Sequence, residues 1–105
     1  MSRERSTPLF TGKIQVRPAS VEDIPLLIDL MAGFYAEAGY CLDRPVATSA
    51  FEAILTDERL GRVWIIEGGD RDVGHIVVTY RFGMEYSGII ACVDDMYMIP
   101  TYRNK

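Results

Sequence analysis

A chain of 105 residues, 49% hydrophobic and 25% charged, has the balance of one globular domain or part of one, not of a disordered segment. Its formal net charge of −4 argues against a nucleic-acid partner, which needs clustered Lys and Arg to displace counterions. No apolar run approaches the ~20 residues that cross a bilayer, so no membrane partner is expected. The polar stretch Met1–Lys13 lacks the apolar core of a secretory signal and reads as a flexible leader.

In chain order, Ile14 and Val16 alternate with Gln15 and Arg17, the pattern of a half-buried strand, which Pro18 ends. Ser20 with Asp23 forms a capping-box-like helix start. Ile24, Leu27, Ile28, Met31, Phe34, Tyr35 and Ala38 then recur every three or four residues, one apolar stripe that Gly39 stops. Pro25, in the first turns, allows that start to slip. Tyr40–Ala47 reads as a loop. Ser49 and Glu52 read as a second capping box, opening a shorter helix with Phe51, Ile54, Leu55 and Leu60 that Gly61 closes. Val63–Glu67 is a predicted strand, Gly68–Asp70 a tight turn, and Val73–Phe82 a longer strand in which Gly74 marks a bulge or a close approach. Gly83–Gly88 turns the chain, and Ile89–Ile99 is a fourth strand stopped by Pro100. The predicted fold class is α+β, in the order strand, helix, helix, strand, strand, strand. Short turns make the last three strands an antiparallel meander, with the helices on at least one face.

The sequence has two cysteines, Cys41 and Cys92, and one histidine, His75. No C-x-x-C spacing exists, so no zinc site can be built and no metal is expected. The cysteines read as free thiols of a cytoplasmic protein, and His75 as a structural strand residue. The adjacent carboxylates Asp94 and Asp95 can attract a cation and accept a proton. Because neighbouring strand residues point to opposite faces, one of the two is expected to face a given pocket wall. Two charges that discourage edge pairing are the structural alternative.

Three segments carry a family resemblance. I-Q-V-R-P-A-S-V-E-D-I-P-L-L at the first strand, V-G-H-I-V-V-T-Y at 73–80 and V-D-D-M-Y-M-I-P-T-Y-R-N-K at 93–105 resemble the first, third and fourth strands of GCN5-related N-acetyltransferases. The family continues with Q/R-x-x-G-x-G/A, of which Arg103 matches the first position and Asn104 and Lys105 the variable ones. The resemblance implies that residues 14–105 are the N-terminal half of such a domain, without its glycine loop, following helix and remaining strands. It implies an enzyme moving acetyl from acetyl-CoA to a small amine, polyamine or peptide amine by direct attack, with Asp94 and Asp95 as candidate base and substrate-charge contact. The backbone of Met96, Tyr97, Met98 and Ile99 would pair with the pantetheine arm, and Arg103 and Lys105 would flank the pyrophosphate. Phe34, Tyr35, Glu37, Tyr40 and Tyr80 are the acceptor-site candidates, although Phe34 and Tyr35 also lie on the core stripe. With the phosphate loop absent, the 105 residues alone are expected to be inactive. They are also expected either to self-associate, most simply as a homodimer, through the open edge of the fourth strand or to be poorly stable. The alternative is a non-catalytic α+β module for ligand sensing or self-association.

Overall fold

The computed structural model describes residues 14–103; the leader and Asn104 and Lys105 lie outside the described residues. The elements are β1 (Ile14–Pro18), a 3-10 turn (Val21–Asp23), α1 (Ile24–Glu37), α2 (Arg44–Thr56), β2 (Gly61–Gly68), β3 (Arg71–Gly83), β4 (Gly88–Met98) and a last 3-10 turn (Pro100–Tyr102). The strands form one antiparallel sheet in the order β1-β2-β3-β4, so the α+β order expected from the sequence is the order observed. Among the described residues no helix is long and apolar enough to cross a membrane.

The entry to α1 is built by a short-range exchange. The Asp23 carboxylate accepts from the Ser20 backbone N–H at 2.9 Å and from both terminal nitrogens of Arg17 at 3.0 Å. Arg17 also donates to Glu67 at 3.0 Å and to Asp72 at 3.4 Å, tying β1, the turn, β2 and β3 together. Its hydrogen bonds hold the Asp23 carboxyl below the ordinary carboxylate value. Pro25 falls in the first turn of α1, where its missing N–H costs nothing.

α2 corrects the sequence reading. It begins at Arg44, not near Ser49, because Asp43 caps it: the Asp43 Oδ1 accepts from Val46 N–H at 3.1 Å. Pro45 sits in its first turn, so the segment that Pro45 and Asp43 marked as loop is a helix start. Ser49 and Glu52 lie inside the helix. The helix ends at Thr56, and Leu60 follows it in the connection to β2.

Ladder partners share a face of the sheet, so the register assigns every row. Val63–Val77–Asp95 and Arg17–Ile65–His75–Tyr97 face the helices. Ile65, Val63 and Val77 pack there with Ile24, Leu27, Ile28, Ala47 and Phe51 in the core. Burying side chains such as Leu27 and Phe51 contributes ~1.5–3 kcal/mol each. Pro18–Trp64–Ile76–Met96 lies on the opposite face.

Gly74 marks a close approach. It sits opposite Met98, and a Cβ there would collide with the Tyr97 carbonyl oxygen while pressing on Met98 Cα at 3.1 Å and Ile66 Cδ1 at 3.2 Å. The bulge in this part of β3 lies beside it, at Val73. Gly74→Ala is expected to destabilise the fold by ~1–3 kcal/mol or more, since backbone cannot give way as a side-chain end can. Gly88→Ala is the control: its Cβ would meet nothing closer than 3.7 Å, and denaturant unfolding should show little change.

Candidate functional site

β4 departs from regular pairing at one residue. Val77 of β3 is opposite Asp95, but Val78 is opposite Val93, so Asp94 is the extra residue of a β-bulge. Regular alternation would place Asp95 on the helix face and Asp94 on the other. The bulge breaks the alternation, and both carboxylates line one cavity. This overturns the expectation that a single aspartate could face a given wall.

The cavity, of about 470 Å³, opens between the helices and the β3–β4 ladder. That volume falls in the range of small-molecule sites. Met31 of α1 and Phe51 and Ile54 of α2 form one side, with Ala50 and Ala53 leaving room. Val77, Thr79 and Tyr80 of β3, with Leu60, form the other, and Asp94 and Asp95 complete it. Asp95 lies in the same row as Val63 and Val77, the apolar core row, which half-buries it. Burial, and then the neighbouring Asp94 charge, push the Asp95 carboxyl above its ordinary value. A carboxylate raised in this way is a better proton acceptor at neutral pH than a fully solvated one.

The sequence candidates fall into two groups. Tyr80, Asp94 and Asp95 meet at the cavity. Phe34, Tyr35, Glu37, Tyr97 and Arg103 gather instead at the C-terminal end of α1. There the Phe34 ring lies 6.1 Å from Tyr35 and 5.8 Å from Tyr97. Arg103 donates to both Glu37 oxygens at 2.7 and 2.9 Å, stacks over the Tyr97 ring at 5.4 Å, and gives its Nε–H to the Met98 carbonyl at 2.8 Å. The Tyr97 hydroxyl donates to Glu37 at 3.3 Å. Tyr40 belongs to neither group and is 70% exposed. Lys105 lies outside the described residues.

Met96–Ile99 run along the outer side of the sheet. The Ile99 N–H donates to the Val73 carbonyl at 2.8 Å, so that peptide group faces β3. Backbone groups alternate along a strand, and the carbonyl of Met98 accordingly turns outward, where Arg103 meets it. Met96 turns its N–H and C=O the same way. Among the described residues no strand pairs with this edge.

Ile54, Phe51, Met31, Leu60, Val77 and Thr79 were not singled out as site residues in the sequence. Apart from Leu60, in the connection before β2, each lies on an apolar stripe or in a strand, where its spacing is that of a core residue; only the bulge and the gap between α2 and β3 distinguish them. His75, read as structural, is 0% exposed on the helix face, between the Phe51 ring at 6.5 Å and the Tyr97 ring at 6.3 Å, and neither ring nitrogen has a hydrogen-bond partner. Cys41 and Cys92 are free thiols. Among the described residues no group of His, Cys, Asp and Glu side chains could hold a metal ion.

No family profile matches the chain, and no curated protein does. Solved structures do. An integron cassette protein from the mobile metagenome of Cole Harbour Salt Marsh is 46% identical, with a TM-score of 0.84 over 87% of this chain and 60% of its own. A possible acetyltransferase from Clostridium difficile 630 is 28% identical, with a TM-score of 0.78 over 88% of this chain and 61% of its own. A predicted acetyltransferase with acetyl-CoA from Clostridium acetobutylicum is 20% identical, with a TM-score of 0.74 over 89% of this chain and 64% of its own. The chain thus spans less than two thirds of the length of each. From β1 through β4 and the turn after it, the described residues have the fold of part of a GCN5-related N-acetyltransferase domain.

Proposed function

We propose that the whole protein transfers an acetyl group from acetyl-CoA to an amine seated in the cavity beside β4. The observation that carries this reading is the bulge at Asp94, which brings two carboxylates to one apolar-walled cavity next to a β4 edge that no described strand pairs. When bound, acetyl-CoA supplies an activated thioester. The outward backbone of Met96 and Met98 fits an extended arm added as a further strand. The described residues offer no glycine-rich phosphate cradle, and Arg103 is engaged by Glu37, so the pyrophosphate falls to residues after Arg103.

In this reading Asp94 and Asp95 first attract the ammonium form of the acceptor. One of them then takes its proton, directly or through a water, leaving a neutral nitrogen whose lone pair attacks the thioester carbonyl carbon. The C–S bond breaks, the sulfur leaves with its electron pair, and the second proton that the nitrogen sheds as the amide forms ends on the thiolate. An outward N–H on β4 can hydrogen-bond the carbonyl oxygen as charge develops there. The raised Asp95 carboxyl favours it as the base, with Asp94 as the charge that holds the cation.

The test is acetyl-CoA-dependent thiol release, with a mixed set of primary amines, by the full-length protein expressed from its complete native reading frame, beside a polypeptide of residues 14–103. The expected result is turnover by the former and none by the latter, which holds the acceptor cavity without a phosphate cradle. Equal turnover by both would contradict the division of labour; no turnover by the full-length protein would contradict the function.

A further inference from the structure

We infer that the acceptor is a primary amine carried on an apolar body, such as an arylalkyl or alkyl amine, and not a polyamine or a polyhydroxylated amine. This deepens the proposed function and rests on it for the fate of the amine. The ionisable and apolar parts of the cavity are segregated. Among the described residues, charge comes from Asp94 and Asp95 alone, adjacent on β4. Facing them, Met31, Phe51, Ile54 and Leu60 present aliphatic and aromatic surface, with Thr79 as a further polar residue of the lining.

A ligand matched to these walls has one cationic end and one apolar end. A diamine of similar length would set its second ammonium against Phe51 and Ile54, where no carboxylate meets it and desolvating a charge is costly. A sugar-like amine would turn several hydroxyls toward the same wall, each losing its hydrogen bonds to water without replacement. An aromatic or alkyl tail loses nothing there and gains burial. At about 470 Å³ the cavity holds a group of the size of a phenylalkyl chain and does not require a macromolecular acceptor. The half-burial of Asp95 adds to the preference for a cation, which compensates the crowding of two like charges.

Calorimetric titration of the full chain with four probes tests this: phenylbutylamine, phenylbutanol, putrescine and kanamycin. Phenylbutylamine is expected to bind at least tenfold tighter than each of the other three. The double variant D94N/D95N should abolish its advantage over phenylbutanol while leaving phenylbutanol within about twofold. Ile54→Ser, a half-buried position on the wall, should weaken both phenylbutyl probes. Putrescine or kanamycin binding as tightly as phenylbutylamine, equal affinity for amine and alcohol, or no binding of phenylbutylamine would each overturn the inference. The two readings separate when acetyl-CoA is added to the full-length protein. Acetylation of putrescine in preference to phenylbutylamine overturns the substrate class and leaves acetyl transfer standing. Tight binding of phenylbutylamine without its acetylation leaves the apolar cation site standing and overturns the transfer.

Discussion

Substituting Asp94 and Asp95 by asparagine in the full-length protein is expected to lower kcat/KM for amine acetylation by ~10²–10⁴ at the position that acts as the base. Asparagine keeps the shape and removes both the proton acceptor and the charge. If the roles divide as proposed, Asp95→Asn lowers kcat and flattens the acid limb of the pH–rate profile, whereas Asp94→Asn acts more on KM. Stability should move the opposite way. Burial and the Asp94 charge raise the Asp95 carboxyl in the folded chain, so over the range between its unfolded and folded values the native state holds the proton more tightly. Native stability therefore falls as pH rises through that range, and the ionised group is a net cost at neutral pH. Asp95→Asn should accordingly raise the melting temperature at pH 7, and the gain should vanish once the pH drops below the ordinary carboxylate value. A residue with a purely structural role would not couple a loss of turnover to a gain in stability. If both single variants keep kcat/KM within a factor of two, the acidic pair is not catalytic.

The second large effect concerns His75. Its ring is fully buried and neither nitrogen has a partner; burial alone pushes its pKa down to about 4 from an ordinary 6.5. Below pH 6.5 the unfolded chain takes up a proton that the folded chain refuses. Stability is then at its full value above pH 6.5 and falls as the pH drops towards 4, by roughly 3 kcal/mol across the window. Asp23, whose carboxyl is lowered by Arg17, loses its stabilising contribution only below its ordinary 3.8, so the two effects separate on the pH axis. Urea unfolding at intervals from pH 7 to pH 4 measures this. His75→Leu should remove most of the downward slope; a flat curve over that range in the Asp95→Asn background, which lacks the opposing Asp95 contribution, would show that the buried imidazole finds a partner or a route to solvent.

Much of this fold was legible from residue patterns. The stripe from Ile24 to Ala38, the Ser20–Asp23 pair and the Gly68–Asp70 and Gly83–Gly88 turns each have one physical reading, and the structure follows them. α2 was misplaced because two capping signals compete in that stretch: Asp43 followed by Pro45, and Ser49 followed by Glu52. The earlier pair prevails, since it lets Val46 and Ala47 start the turn that brings Ala47 and Phe51 to the core. The site was only half legible. Asp94 and Asp95 stand out by chemistry, but a bulge between two well-formed strands leaves no mark in the side-chain alternation, so their shared face was hidden. The cavity walls were hidden for another reason: Ile54 and Val77 have the spacing of core residues whether or not a gap opens beside them. The Glu37–Tyr97–Arg103 group links positions 37 and 103, and no local pattern connects residues that far apart.

In the reaction proposed above, the whole protein carries acetyl groups to an amine held against the Asp94–Asp95 wall. The most direct measurement follows free thiol and acetylated amine together, by thiol titration and mass spectrometry, in reactions of the full-length protein with acetyl-CoA and phenylbutylamine. The expected result is one acetylated amine for each thiol released, with both falling in step in the D94N/D95N variant. Thiol release without acetylated amine, or equal yields from the wild type and the double variant, would contradict it.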